Sequence, residues 1–210
     1  MALPDLLERP IAERFNHLLH VLRSKQFLEM EGLGNEVPFF ICPFHPQEAV
    51  EWEKIVLQLK NQLDNSGINV LVVNLYDLCL ELIRQEGNWD MVVEFEKKNT
   101  KAELLDLLQG MLDPQDFIIP AIAEKLQSQP CQVLLITGIG EVYPYLRSHS
   151  LLNNLQSTVK SHPMVMFYPG KYVEVGEGST SLVLFDRLRG NQYYRAFNIL
   201  NYQILRGFQP

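Results

Sequence analysis

The sequence predicts an α/β fold: a mostly parallel central sheet flanked by helices, with an antiparallel C-terminal edge. Uninterrupted apolar runs with β-branched members at residues 70–73 and 133–136 fit parallel strands covered on both faces. Segments with helical spacing, at 47–64, 75–85 and 150–160, alternate with those runs. Glycines punctuate the joins at Gly67, Gly87, Gly138 and Gly140. With 210 residues, 47% of them apolar, the chain can bury a full core as a single domain over 1–210.

Residues 5–30 read as an amphipathic helix, with Ile11, Phe15, Leu18 and Leu22 on one stripe and Glu13, Arg14, Arg23 and Lys25 mostly off it. Pro10 kinks or restarts it. His17 and His20 lie three apart but have no further metal ligands nearby, so they are expected at the surface. Gly32 and Gly34 make a turn before a short buried strand at 37–42, bounded by Pro38 and Pro43. Trp52, Val56, Leu59 and Leu63 give the next helix its spacing, and Asn65-Ser66-Gly67 ends it.

After the strand at 70–73, Leu75 to Gln85 form a helix stopped by Gly87. Asp77 either caps that helix or faces a ligand, with capping preferred. Thr100 and Glu103 have the spacing of a capping box opening a helix over 101–112, and Asp113-Pro114 starts another with a kink at Pro120. Residues 88–130 are therefore a helical insertion between two strands. Beyond the strand at 133–137 and its helix, Ser161-His162-Pro163 leads to a strand at 164–168 that Pro169-Gly170 turns. A glycine-bearing loop at 175–180 precedes strands at 182–185 and 193–199, which form the antiparallel edge or a hairpin.

Net charge is −7, so the long-range field repels phosphate backbones, and direct nucleic-acid binding by the chain alone is not expected. The most basic stretch, Arg187, Arg189, Arg195 and Arg206, is interrupted by Asp186 and aromatics and reads as a solvated face. Tyr193, Tyr194, Phe197, Tyr202 and Phe208 lack the basic groove that base stacking uses, so core packing or a covered edge is the better reading. Cys42, Cys79 and Cys131 sit singly in apolar surroundings and read as reduced core residues. The N-terminus MALPDLLERP lacks the pattern of a signal peptide, and no apolar run approaches the ~20 residues of a membrane span. A cytoplasmic protein without membrane contact is expected.

Function in open α/β sheets gathers at the loops beyond the strand carboxyl ends. That places Glu141, Tyr143, Arg147, His149, Asn153 and Asn154, in the segment after the central strand, as the candidate interaction surface. The alternative is an internal network in which Arg147 pairs with Glu141 and the asparagines cap backbone groups. The layout is like that of a P-loop NTPase without Walker motifs. Where GxxxxGK[ST] would follow the first strand, the chain has PFHPQEAVEW, with two prolines and Glu48 in place of glycine amides and lysine. Thr137 stands where a magnesium-holding acid would end the central strand. Ser148 or Ser150 with His149 and Glu141 has the residue types of a hydrolase, but there is no G-x-S-x-G elbow. No catalytic, cofactor or metal residues are therefore assigned, and the chain is expected not to be an enzyme.

GLGNEVPFFICPF, NVLVVNLYDL, ITGIGEVYPYLRSHSLLNNLQ followed by MVMFYPG, and LFDRL then NQYYRAFNI run in order along most of the chain. Together these blocks resemble the BrxB family of bacterial BREX phage-exclusion systems, the central block being the most specific. The resemblance implies a small accessory component encoded beside a large ATPase, a DNA methyltransferase and an alkaline-phosphatase-like protein, PglZ. It carries over no catalytic residue. A non-enzymatic adaptor acting through protein–protein interaction is expected, with PglZ as its first partner among the BREX proteins. The enzyme-class alternative is a degenerate nucleotide-binding protein, hydrolase or nuclease in the same system. A weaker one is a DNA-contacting subunit whose positive charge comes from its partners.

Overall fold

The computed structural model describes residues 5–31, 38–159, 161–174, 180–190 and 196–204. The expected turn at Gly32 and Gly34, most of the 175–180 loop, Gly190-Asn191's second residue, and Tyr193, Tyr194, Arg195, Arg206 and Phe208 lie outside those residues.

Strands β1 (Phe39–Phe44), β2 (Val70–Asn74), β3 (Val133–Thr137), β4 (Met164–Glu174) and β7 (Phe197–Asn198) lie in the order β2-β3-β4-β1-β7. Each neighbouring pair in that order is parallel. The chain runs from β1 to the far edge, returns through β3 and β4 to β1's side, and finally adds β7 on β1's other side. The second half of β4 pairs antiparallel with β5 (Thr180–Leu184), which pairs with β6 (Leu188–Arg189). The mostly parallel sheet with an antiparallel extension is thus present.

Alternate residues of the strands feed two cores. On one face Phe39, Ile41, Leu71, Val73, Leu134, Ile136, Met164 and Met166 pack against α4 (Leu75–Gln85), α7 (Ile119–Ser128) and α8 (Ser148–Thr158). On the other, Phe40, Cys42, Phe44, Val133, Leu135, Val165 and Phe167 pack against α1 (Ile11–Arg23), α2 (Lys25–Leu28) and α3 (Ala49–Asp64). The continuous apolar runs at 70–73, 133–136 and 164–167 follow from this double coverage. Buried Cys42 and Cys79 are free thiols; burial pushes Cys42 far up and Cys79 up to about 12, so both stay protonated.

Several expectations need correction. Residues 5–30 are not one helix: Pro10 is the N-cap of α1, and Ser24 ends α1 and caps α2, accepting from Phe27 N–H at 3.3 Å. Arg14 is buried, and half-buried His17 meets the Ile199 carbonyl through Nε2 at 3.0 Å, because the C-terminal segment lies over α1. β1 runs through Pro43, which pairs with Tyr168; β7 reaches only Phe40 and Ile41, so no described strand lies beside Pro43 on that side. Asn74 rather than Asp77 caps α4, its Oδ1 accepting from Tyr76 N–H at 2.8 Å and Asp77 N–H at 3.3 Å. β4 continues through Pro169-Gly170 instead of turning there. β5 and β7 do not form a hairpin: β5 joins β4 and β6, while β7 is parallel to β1.

The 88–130 stretch divides by burial. Its α5 (Trp89–Lys98) and α6 (Lys101–Met111), the latter opened by the Thr100–Glu103 capping box, contain no fully buried residue. A π-helical turn at Pro114–Ile118 and α7 then bring Ile118, Ile119 and Ile122 onto the sheet. Among the described residues, no helix is long and apolar enough to cross a membrane.

Candidate functional site

The carboxyl ends of β1 to β4 open into a cleft of 690 Å³. Its second wall is α3, where Ala49, Trp52, Glu53, Val56, Leu57 and Lys60 share one face by helical spacing. Phe44, Phe167 and Pro169 floor it, and Phe185 closes one end. Where a phosphate-binding protein presents glycine amides, His45 leads instead into a short turn at Pro46–Glu48.

Glu48 does not face the cleft as a free anion. It accepts from Arg14 Nη1 at 2.8 Å and Nη2 at 2.5 Å and from Trp52 Nε1 at 3.3 Å, while the Arg14 guanidinium lies 5.5 Å from the Trp52 ring centre. Burial alone would raise its carboxyl, but the bonds from Arg14 and Trp52 and the Arg14 and His45 charges outweigh that and hold it below the usual range.

The charge on the cleft's rim comes from Glu53, Asp77 and Glu141, all exposed and none in an ion pair among the described residues. Partial burial, then the charges of Glu53 and Asp77, push the Glu141 carboxyl up. Lys60, the one lysine lining the cleft, is paired with Asp64. The rim is therefore acidic above an apolar floor.

Two glycines fix this geometry. At Gly138, φ is +78° and a Cβ would lie 2.5 Å from Asn74 Oδ1, so the loop after β3 rests against the cap of α4. At Gly140, a Cβ would lie 2.9 Å from the Phe185 ring. Phe185 and Asp186 themselves have φ of 53° and 59°, a left-handed turn that is costly for a bulky side chain and that aims the Phe185 ring into the cleft.

The six sequence-derived residues are divided among neighbouring surfaces. Glu141 lines the large cleft. Tyr143, Arg147 and His149 line a second cavity of 330 Å³ with Tyr168 and Arg189. Tyr143 stacks edge-on against Phe185 at 6.3 Å, so the two cavities share a wall. Partial burial, then the Arg147 charge, lowers the His149 imidazole. Asn154 lines a third hollow of 310 Å³ and donates to the Ser150 carbonyl at 2.8 Å; Asn153 is exposed. No Arg147–Glu141 ion pair occurs among the described residues. No cluster of three or more metal-ligating side chains occurs among them either.

Sequence reasoning missed Glu53, Leu57 and Phe185. Exposed Val50 and Leu57, outside the buried stripe of α3, were the available signal that this helix carries more apolar surface than its core contact uses.

The family model described as BREX protein BrxB matches residues 71–199, more than half of the chain. The chain belongs to the BrxB family. Two relatives bearing the description BREX protein BrxB are alike along nearly their whole length. The protein of Bacillus cereus (strain H3081.97) is 32% identical over 197 residues, covering 92% of this chain and 99% of the relative. That of Escherichia coli O9:H4 (strain HS) is 28% identical over 192 residues, covering 91% and 92%. No solved structure matches. The BrxB match takes in β2 from Leu71 onward and β3 through β7, hence three of the four strand ends at the cleft and the entire 138–154 segment, and it makes the chain a component of a BREX phage-defence system.

Proposed function

We propose that this BrxB family member is a non-enzymatic adaptor of the BREX system, acting through protein–protein contacts, with the alkaline-phosphatase-like PglZ component as its first partner. The observation that carries this reading is the character of the carboxyl-end cleft. Aromatic and aliphatic side chains under three carboxylates that have no ion-pair partner among the described residues stand where a nucleotide-using sheet presents amide donors and a lysine. Such a surface favours a protein partner over a phosphate ester. The 138–154 segment supplies the adjoining contacts: exposed Tyr143 and Arg147 are residue types that anchor interfaces, held on a loop braced by Gly138 and Phe185.

The test is the combined variant Glu141→Ala, Arg147→Ala and His149→Ala, checked for unchanged circular dichroism and melting. Complex formation with PglZ is expected to weaken about tenfold or more, as loss of interface anchors does. Unchanged affinity in the folded variant would remove this surface from the account.

A further inference from the structure

We propose that the cleft between α3 and the carboxyl ends of β1–β4 seats a basic, amphipathic segment of the protein partner, its apolar side chains on Trp52, Leu57 and Phe185 and its lysines or arginines on Glu53, Asp77 and Glu141. This deepens the adaptor reading and rests on it.

Three observations lead to this occupant. The cleft's 690 Å³ volume and its apolar walls suit several side chains of an inserted segment. Leu57 is 58% exposed on the wall, so part of the apolar lining meets water until something covers it. The rim is unbalanced: Lys60 is held by Asp64, which leaves Glu53, Asp77 and Glu141 facing the opening without a cation among the described residues. All three line the same cleft, and Glu53 and Asp77 lie close enough to repel the Glu141 carboxylate, so a cation bound there relieves that repulsion. An acidic or uncharged segment would meet that repulsion or leave it in place. The left-handed backbone at Phe185 adds a fixed end wall, a strained residue at a binding surface.

The probe is a pair of eighteen-residue-class amphipathic helical peptides, one of leucine and lysine, the other of leucine and glutamate, titrated calorimetrically into the full chain at low salt. The lysine peptide is expected to bind, and the variant Glu53→Gln, Asp77→Asn, Glu141→Gln to weaken it about tenfold, since each exposed ion pair contributes a few-fold at most. A control variant neutralising the exposed acids Glu86, Glu96 and Asp106, none of which lines the cleft, is expected to leave binding within about twofold. Equal binding of both peptides, equal weakening by the control, or no binding of the lysine peptide would overturn the proposal. So would light scattering that shows the free chain as a dimer dissociated by the rim variant, because a second copy would then be the occupant. The titration uses no BREX partner: its failure beside an intact PglZ complex removes the cleft and leaves the adaptor, while absence of any complex removes the adaptor reading itself.

Discussion

Glu48→Ala is expected to lower the unfolding free energy by about 3 kcal/mol, the low end of the cost of breaking a buried ion pair. Arg14 is only 2% exposed, so removing its carboxylate leaves a guanidinium that water cannot reach, with Nε already lacking a partner among the described residues. Glu48 is 25% exposed at its side chain, which places the figure at the low end, since part of the pair's interaction is screened. Trp52 Nε1 loses its acceptor as well. Arg14→Met with Glu48→Gln removes both charges and is expected to recover much of the loss. The pH dependence follows from the Glu48 carboxyl being held below its ordinary value. A depressed carboxylate contributes stability above its unfolded pKa of about 4.3, and that contribution disappears as pH falls through the lower folded value. Wild type is therefore more stable than Glu48→Gln at pH 7, and the gap narrows as pH drops below about 4. Denaturant titrations at both pH values check this; a constant gap would show that the Arg14 pair does not set the carboxyl.

Gly170→Ala is the second large effect, expected to cost about 2–4 kcal/mol because a built Cβ strikes main chain rather than a side chain that can move. Gly170 has φ of +149°, and its Cβ would lie 2.0 Å from the Val183 carbonyl oxygen. The β4–β5 ladder pairs Gly170 with Leu184 and must open to admit a methyl group. Because Phe185 follows directly and donates its N–H to the Pro169 carbonyl at 2.8 Å, the same change moves the end wall of the cleft. A midpoint shift in denaturant together with weaker binding of the lysine peptide is expected. A loss below about 0.5 kcal/mol, the range of ordinary surface changes, would contradict the tight approach.

Gly170 also shows where sequence reasoning stops. Pro169-Gly170 has the composition of a turn, but glycine serves here to let two backbones approach inside a continuing strand. The difference depends on Val183, which no local pattern places beside it. The pairing of β7 with β1 is equally silent in sequence, since two residues show no periodicity and their partner is distant in the chain. Arg14 read as lying off the apolar stripe, and its burial was silent because its partner Glu48 lies on another element. By contrast β2, β3 and α4 were legible, because double-sided burial writes continuous apolar runs and Gly87 ends the helix in a left-handed conformation. The same division holds at the surface. That residues 138–154 follow the end of a central strand was readable; that α3 would bring Glu53 and Leu57 opposite Glu141 required the strand order.

The most direct measurement is co-purification of this chain with the other BREX proteins, one at a time, with the mass of each complex read by light scattering. The adaptor account predicts a stoichiometric complex with PglZ that Glu141→Ala, Arg147→Ala and His149→Ala weaken. A stable chain that remains alone beside every BREX protein would contradict it.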